Sequence, residues 1–196
     1  MLLGKCVTLA QFIRVAEIIR LIGVVNAGAW FGSLLFFTIA AGPAFFSLEM
    51  TELLGRPHAG AAAQIVIARL FQLQFWFAGV ALLQVLAAWL YTGRPVQKLT
   101  SVTLGCVVAF VLVGAFYASP RLKALHLQKY AMQSTSIQKV EAARAFGAMH
   151  GFSQLANLLV LGGVLFHFWQ MYRHSPVSRF APANKFRPPS NGPNAG

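Results

Sequence analysis

The chain has 196 residues, of which 57% are hydrophobic and only 10% are charged, and it contains no aspartate. This composition excludes an ordinary soluble globular domain and indicates an integral membrane protein. The formal net charge of +12 does not indicate nucleic-acid binding, because the basic residues lie between hydrophobic runs and in the C-terminal tail, without a soluble face that interleaves aromatic side chains.

Residues 1–20 are predicted to form an amphipathic lead-in helix that lies in the membrane interface and continues into the first span. No cleavage site of a removable signal peptide follows this segment, so we expect the first span to act as its own insertion signal.

Four charge-free windows follow, at 21–48, 70–93, 99–120 and 145–172. Each exceeds the roughly 18 to 20 apolar residues that a helix needs to cross the hydrocarbon core of a bilayer. The windows lack the period-2 alternation of outer-membrane strands. The predicted fold is therefore all-α, a four-helix transmembrane bundle that occupies residues 21–172.

The first span contains Gly28 and Gly32 in GxxxG spacing, which allows a second helix to approach closely. We predict a helix-packing contact there and treat this face as a candidate surface for a homo-oligomer. The alternative is that the pair has no packing role, since small residues at this spacing are frequent in membrane helices. Pro43, late in the same window, should either kink the helix or start an interfacial turn.

Two polar connections are expected on the side of the membrane away from the termini. The first covers 49–60 and contains the turn formers Gly55 and Pro57. The second covers 121–144 and is polar but compatible with a helix, beginning where Ser119 and Pro120 end the third hydrophobic run. The loop between the second and third windows is so short that these two spans should be antiparallel neighbours.

The fourth window carries a row of polar side chains on one helical face: His150, Ser153, Gln154 and Asn157 follow i, i+3, i+4 and i+7 spacing. In a membrane helix such a face should point towards protein or trapped water. An ionisable group inside a span is also a functional candidate by default. We therefore expect any functional site to be built on this face.

Alternating helix directions would bring other polar residues to the same membrane face as His150, namely Arg69, Gln72 and Tyr117. We predict a polar pocket around His150 and Arg69 that deepens towards Gln154 and Asn157 and opens to the outer side. For each of these residues the alternative is a role in the structure and not in ligand binding. Arg69 would only reach lipid head groups, Gln154 and Asn157 would only join helices, and His150 would only be structural.

With four spans, both termini lie on one side of the membrane. That side would hold nine of the 16 basic residues, and the other side would hold seven together with three of the four acids. The bias favours cytoplasmic termini in a cell inner membrane. Residues 173–196 are basic and rich in Pro and Asn, so we predict a disordered tail that is attracted to anionic lipid.

At the fourth window the sequence resembles a known family. Phe146, His150, Gly151, Ser153 and Asn157 form the run FxxxHGxSxxxN, which is similar to the last-helix signature of the transmembrane protein 205-like membrane proteins. The segments GAWFGSLLFF, PAFF, ARLFQLQFW and ASPRL resemble that family's pattern in order and spacing. The resemblance implies a four-helix membrane protein without a settled reaction. Members carry a histidine early in the first helix, which this chain lacks, so a two-histidine metal or haem site is not implied.

Three hypotheses of function follow. The first is a small-solute or ion binding or transport module with its pocket around His150. The second is a structural or accessory membrane protein that binds a partner or anionic lipid. An enzyme is the weakest, because no catalytic pair and no HExxH or paired-cysteine motif is present. We predict no cofactor, leave a metal open, and name the lipid bilayer and a homo-oligomer as partners.

Overall fold

The computed structural model describes residues 2–93 and 97–173, with side chains for 14–91, 93 and 97–173. These ranges are helical apart from short turns and contain no strand, which confirms the predicted all-α class. Within these ranges, four helical segments are long and apolar enough to cross a membrane, namely Arg14–Ala44, Leu48–Tyr91, Lys98–Tyr130 and Ser136–Arg173.

The chain order of elements is simple. The helices are α1 (Leu2–Phe36), α2 (Gly42–Ala44), α3 (Leu48–Thr92), α4 (Lys98–Val113), α5 (Ser119–Tyr130) and α6 (Ser136–Arg173), with π-helical turns at Phe37–Ala41 and Gly114–Ala118. Helix α1 has no break near residue 20, so the predicted lead-in and the first span form one continuous helix. The predicted disordered tail lies outside the described residues, apart from Arg173 at the end of α6.

Each π-helical turn ends two residues before a proline, Pro43 in one case and Pro120 in the other. Proline has no N–H to donate, and its ring clashes with the carbonyl four residues earlier. A locally widened helical turn accommodates such a position. After Pro43 the chain turns at 45–47. After Pro120, where the hydrophobic run ends, the expected connection is not a loop but begins as α5, because proline is tolerated in the first turn of a helix.

The predicted connection at 49–60 is also wrong, because α3 begins at Leu48. Ser47 caps it: its side-chain oxygen accepts a hydrogen bond from the Met50 N–H at 3.3 Å. Gly55 interrupts the helix with φ 72° and ψ 150°, a backbone conformation that is essentially restricted to glycine. The turn formers of this segment therefore make a kink inside a long helix and not a loop.

Much of the predicted loop at 121–144 is helical as well. Helix α5 reaches Tyr130, a turn covers 131–135, and α6 begins at Ser136. Thr135 and Gln138 form a capping box, in which the Thr135 N–H donates to Gln138 Oε1 at 3.0 Å and the Gln138 N–H donates to Thr135 Oγ1 at 3.3 Å. This local signal explains why α6 starts well before the hydrophobic run.

Helix α6 packs against α1, α4 and α5, and α1 also packs against α3. The core contains mostly aliphatic side chains from these helices around one large aromatic residue: Trp30, Leu34, Ala78, Ala81, Leu104, Val107, Val111, Val160 and Val164. Large apolar side chains also cover the outer faces of the helices, such as Leu83, Leu90 and Phe116. An apolar exterior is what a bilayer requires of membrane-spanning helices.

Candidate functional site

A cavity of about 500 Å³ lies between α3, α5 and α6, at the end of the molecule where the turns at 45–47 and 131–135 connect the helices. This volume is typical of pockets for small molecules. Its lining includes apolar, aromatic, cationic and hydroxyl or amide side chains: Phe46, Leu48, Thr51, Arg56, Gly60, Ala63, Gln64, Ile67, Ser119, Leu122, His126, Lys129, Tyr130, Phe146 and His150. His150 is the one residue of the predicted pocket that lines it.

His126 forms the floor on the α5 side. Its side chain is 7% exposed, and its Nε2 donates a hydrogen bond to the Pro57 carbonyl oxygen at 3.0 Å. Because a carbonyl only accepts, this bond places the ring hydrogen on Nε2 and leaves Nδ1 as an acceptor in the neutral imidazole. Gly60 lies against the ring, and a Cβ atom at that position would overlap His126 Cε1. Glycine is therefore required for this close approach of α3 and α5.

An aromatic wall joins the two histidines. The rings of Phe146 and His150 are stacked with centroids 5.7 Å apart and an interplanar angle of 7°. The ring centroids of His126 and Phe146 are 5.9 Å apart at a tilt of 52°, and the Phe46 ring meets His150 edge-on with centroids 6.4 Å apart. These distances fall in the range of favourable ring pairs. Phe146 thus holds both imidazoles at the cavity in fixed orientations.

Both charged side chains of the lining are cations, the half-buried Lys129 and the exposed Arg56. Lys129 Nζ lies 5.1 Å from the centroid of the Tyr130 ring and 5.9 Å from that of Phe146, within the range of cation–π contacts. Arg56 adds a second cation, and no acidic residue lines the cavity among the residues that the structure describes. Two acids near the start of α3, Glu49 and Glu52, are exposed. The arrangement favours a ligand that combines negative charge with an apolar surface.

The polar face of α6 is divided between several partners. Gln154 Nε2 lies 3.0 Å from His150 Nε2, so the amide donates and the imidazole accepts. Ser153 Oγ donates to the carbonyl of Met149 at 2.8 Å, within its own helix. Asn157 Nδ2 donates to Thr38 Oγ1 at 2.8 Å and so joins α6 to the π-helical turn after α1. Ser153, Gln154 and Asn157 do not line the cavity.

The remaining predicted pocket residues lie elsewhere. Arg69 and Gln72 are exposed and bond to each other, with Arg69 Nη1 donating to Gln72 Oε1 at 3.0 Å. Tyr117 is 65% exposed on the outer surface of the second π-helical turn. None of these three residues lines the cavity. The prediction that they share a pocket with His150 does not describe this structure.

The GxxxG pair has an asymmetric environment. A Cβ at Gly28 would lie 3.4 Å from the Phe168 ring, which is an ordinary contact with α6. A Cβ at Gly32 would have no described atom within 4 Å. Within the described chain only Gly28 acts as a packing position. Close approach between helices occurs instead at other glycines, such as Gly114 against Phe71 and Gly163 against Val107.

Sequence reasoning missed His126, Arg56 and Lys129, because they lie in segments that it assigned to loops. One signal was available: at helical spacing His126 and Lys129 share a face, as do Phe146 and His150. The described residues contain no group of three or more His, Cys, Asp or Glu side chains that could hold a metal ion. The Phe146 ring contacts both imidazoles, at centroid distances of 5.9 Å to His126 and 5.7 Å to His150.

Comparison with known proteins gives one match. A family model described as a domain of unknown function (DUF4149) matches residues 25–131. No curated protein and no solved structure matches the chain. The matched range includes α3, with Arg56 and Gly60, and α5, with His126 and Lys129.

Proposed function

The chain belongs to the family of the domain of unknown function DUF4149, and from that premise we propose that it is a membrane protein that binds a small anionic amphiphile in the cavity around His126 and His150. The ligand class is a phosphate or carboxylate attached to an apolar ring or short chain. One observation carries the proposal: the cavity combines two cations, two histidines and an aromatic wall, without an acidic lining residue in the described chain.

The lining divides into complementary parts. Arg56 and Lys129 supply positive charge, and charge-assisted hydrogen bonds to an anion are roughly twice as strong as neutral ones. Apolar contacts come from Phe46, Leu122 and Phe146. Both imidazoles are held by hydrogen bonds, His126 to Pro57 and His150 to Gln154, so a ligand would meet oriented rings. Orientation before binding reduces the entropy that a ligand must offset.

The proposal assigns binding to this cavity and no catalytic step. Transport would require a second access route, and a narrow bundle of four helices favours an oligomer for that role. We further propose the placement that the sequence favours: a multi-pass inner-membrane protein, built as a four-helix bundle, with both termini in the cytoplasm and the cavity on the outer side. We also propose that the chain is related to the transmembrane protein 205-like group, on the similarity of its last helix to that group's signature.

A binding experiment tests the proposal directly. The probe is 1-naphthyl phosphate, titrated into the purified protein in uncharged phosphatidylcholine nanodiscs, with 1-naphthol and inorganic phosphate as comparison probes. We expect 1-naphthyl phosphate to bind most tightly, because it alone offers both charge and an apolar ring. Lys129→Gln should weaken its binding about tenfold, the loss of one charge-assisted contact worth about 1.4 kcal/mol.

Arg69→Gln is the matched control, because Arg69 is an exposed cation on α3 that does not line the cavity. It should leave the dissociation constant unchanged. Equal losses of affinity in Lys129→Gln and Arg69→Gln would mean that the ligand responds to the overall surface charge and not to this cavity. Tighter binding of 1-naphthol than of its phosphate would contradict an anion site.

A second candidate is a structural or accessory membrane protein. The observation that favours it is the bonding of polar side chains between helices: Asn26 Nδ2 donates to the Phe77 carbonyl at 3.0 Å, and Asn157 donates to Thr38. Such bonds join helices without needing a ligand. Absence of binding for all three probes, in a protein that stays folded, would favour this candidate, with anionic lipid or a homo-oligomer as partner.

A further inference from the structure

The cavity around His126 and His150 has a direction, which follows from how α3 and α5 are aligned. At one position His126 bonds to the Pro57 carbonyl oxygen at 3.0 Å, and its ring lies against Gly60. Further along α3, the Phe71 ring lies against Gly114, in the π-helical turn that leads into α5. Since the later residue of α3 meets the earlier residue of its partner, the two segments are antiparallel.

Interpolation between these contacts assigns a level to each lining residue. Arg56 is level with Lys129, and Ile67 is level with Ser119, each to within one helical turn. Arg56 directly follows the Gly55 break, so α3 is regular from Arg56 to Ile67. At a rise of 1.5 Å per residue, the outer level of Arg56 and the inner level of Ile67 are about 16 Å apart.

Both charged side chains of the lining lie at the outer level. They are Arg56 and Lys129, and Tyr130 adds a phenol group beside them. His150 faces the inner part as a neutral imidazole, because its Nε2 accepts from Gln154. The rest of the inner part is uncharged and combines apolar side chains with an amide and a hydroxyl group: Ala63, Gln64, Ile67, Ser119 and Leu122. An anion and an apolar chain are therefore favoured at opposite ends of one cavity.

The inner level coincides with the edge of the membrane-spanning region. The charge-free windows begin at residue 70 on α3 and end at residue 120 on the segment that faces it. Ile67 and Ser119 therefore lie at the hydrocarbon boundary, and the two cations lie on its water side. A single-chain phospholipid in that leaflet has the same direction, with its chain towards the hydrocarbon and its phosphate towards water.

We propose that the cavity binds a single-chain phosphate amphiphile, with its phosphate between Arg56 and Lys129 and its alkyl chain directed along α3 and α5 to Ile67 and Leu122. This inference rests on the proposed function and adds to it the chain and its direction. One chain fits better than two, because a volume of about 500 Å³ is that of a pocket for a drug-sized molecule. Water-soluble alkyl phosphates and single-chain lipids of the bilayer share this chemistry.

A pair of probes distinguishes these two sources. Butyl phosphate stays in water and dodecyl phosphate resides in the bilayer, and each is titrated into the full-length protein in uncharged phosphatidylcholine nanodiscs. Ile67→Trp fills the inner end of the cavity. It should weaken binding of dodecyl phosphate about tenfold, which corresponds to lost burial of about two methylene groups, and that of butyl phosphate by a much smaller factor. Each probe is compared between two proteins in the same bilayer, so its partition into lipid cancels.

Ile65→Trp is the matched control, because Ile65 is 66% exposed on the same helix and does not line the cavity. It should leave the affinity for both probes unchanged. Equal losses for the two probes in Ile67→Trp would overturn the direction of the chain. Binding of butyl phosphate without binding of dodecyl phosphate would identify a water-soluble ligand and overturn the chain site.

The decisive measurement uses the unmodified protein, so it does not depend on a variant that folds. Dodecyl phosphate with a diazirine at its terminal carbon is photolysed in the nanodisc, and the labelled residues are identified by mass spectrometry. Labelling that excess 1-naphthyl phosphate suppresses comes from the cavity. We expect it at the inner level, near Ile67 and Leu122. Suppressible labelling at Arg56 and Lys129 instead would overturn the inference.

Failure of this inference is distinguishable from failure of the proposed function. If 1-naphthyl phosphate binds in the cavity but the diazirine gives no suppressible labelling at the inner level, the anion site stands and the chain site is overturned. If neither 1-naphthyl phosphate nor the two alkyl phosphates bind, both are overturned.

Discussion

The two ends of this helical protein differ in how their polar groups are accommodated. At one end, His126 and His150 line a cavity of about 500 Å³. At the other end, Trp30 and His167 are enclosed by packed helices and are at most 2% exposed. Both ends contain histidine on a membrane helix, so residue type does not explain the difference.

Interruptions of the helices do explain it. The cavity is lined by residues next to the turn at 45–47, next to the Gly55 break and directly after the second π-helical turn. Widened turns and breaks move helix axes apart and leave space between them. Towards the end that contains Trp30 and His167 the helices have regular hydrogen bonding, and Gly163 brings α6 close to α4. Uninterrupted helices with small contact residues pack closely.

The largest expected effect concerns the closely packed region that contains Trp30 and His167. Trp30→Ala removes a fully buried indole and should lower the free energy of unfolding by about 3–5 kcal/mol. Trp76→Ala, at a neighbouring depth on the lipid-facing surface, should lower it by less than about 1 kcal/mol. Unfolding in mixed micelles with increasing dodecyl sulfate measures both. Similar losses for the two variants would mean that the region around Trp30 is not packed as described.

A smaller effect tests the close approach of α4 and α6. A Cβ at Gly163 would lie 2.6 Å from Val107 Cγ2, so Gly163→Ala should cost about 1–3 kcal/mol through overpacking. Gly162→Ala is the matched control, since a Cβ there meets no described atom within 4 Å. The control should be neutral or stabilised by up to about 1 kcal/mol from helix propensity. The same unfolding titration compares the two variants. If Gly162→Ala were destabilised instead, the close contact with α4 would lie at Gly162 and not at Gly163.

The smallest expected change in stability concerns the cavity around His126 and His150. Gly60→Ala forces the His126 ring to move, and because this ring borders the cavity it can shift without the overpacking expected at Gly163. The lost bond to Pro57 costs about 1 kcal/mol, which the helix propensity of alanine offsets by about the same amount. Stability should therefore change little, while binding of 1-naphthyl phosphate should weaken. Gly79→Ala, on the same helix without a nearby described atom, should leave binding unchanged. Unaltered binding in Gly60→Ala would show that the position of His126 does not matter to the pocket.

Several local features of this structure could be read from the sequence. Hydrophobic run length predicted four membrane-length helices, and the structure contains them. The role of Pro43 as the start of a turn was one of two alternatives, and it follows from the missing N–H of proline. The capping box of Thr135 and Gln138 is equally local, although it was not used to place the start of α6. Asn26 joins α1 to α3 through its hydrogen bond to the Phe77 carbonyl, which needs the approach of a second helix.

The candidate site shows where such reasoning stops. His150 was identified because an ionisable side chain inside a span is unusual. Arg69 and Gln72 were placed beside it because they lie at a similar depth, but they are exposed and bond to each other. Depth is a property of chain position, whereas direction depends on helix rotation, and each residue turns a side chain by about 100°. His126 was missed because α5 continues past Pro120.

Local sequence accounts for the membrane class, the number of membrane-length helices and the places where proline and glycine interrupt them. These properties depend on local hydropathy and local backbone chemistry, which act within one helix. Tertiary packing alone brings His126, Lys129 and His150 to one cavity and buries Trp30 and His167 among the helices. Those groupings depend on the rotation and approach of separate helices, which packing against Gly60 and Gly163 sets and which no single segment encodes.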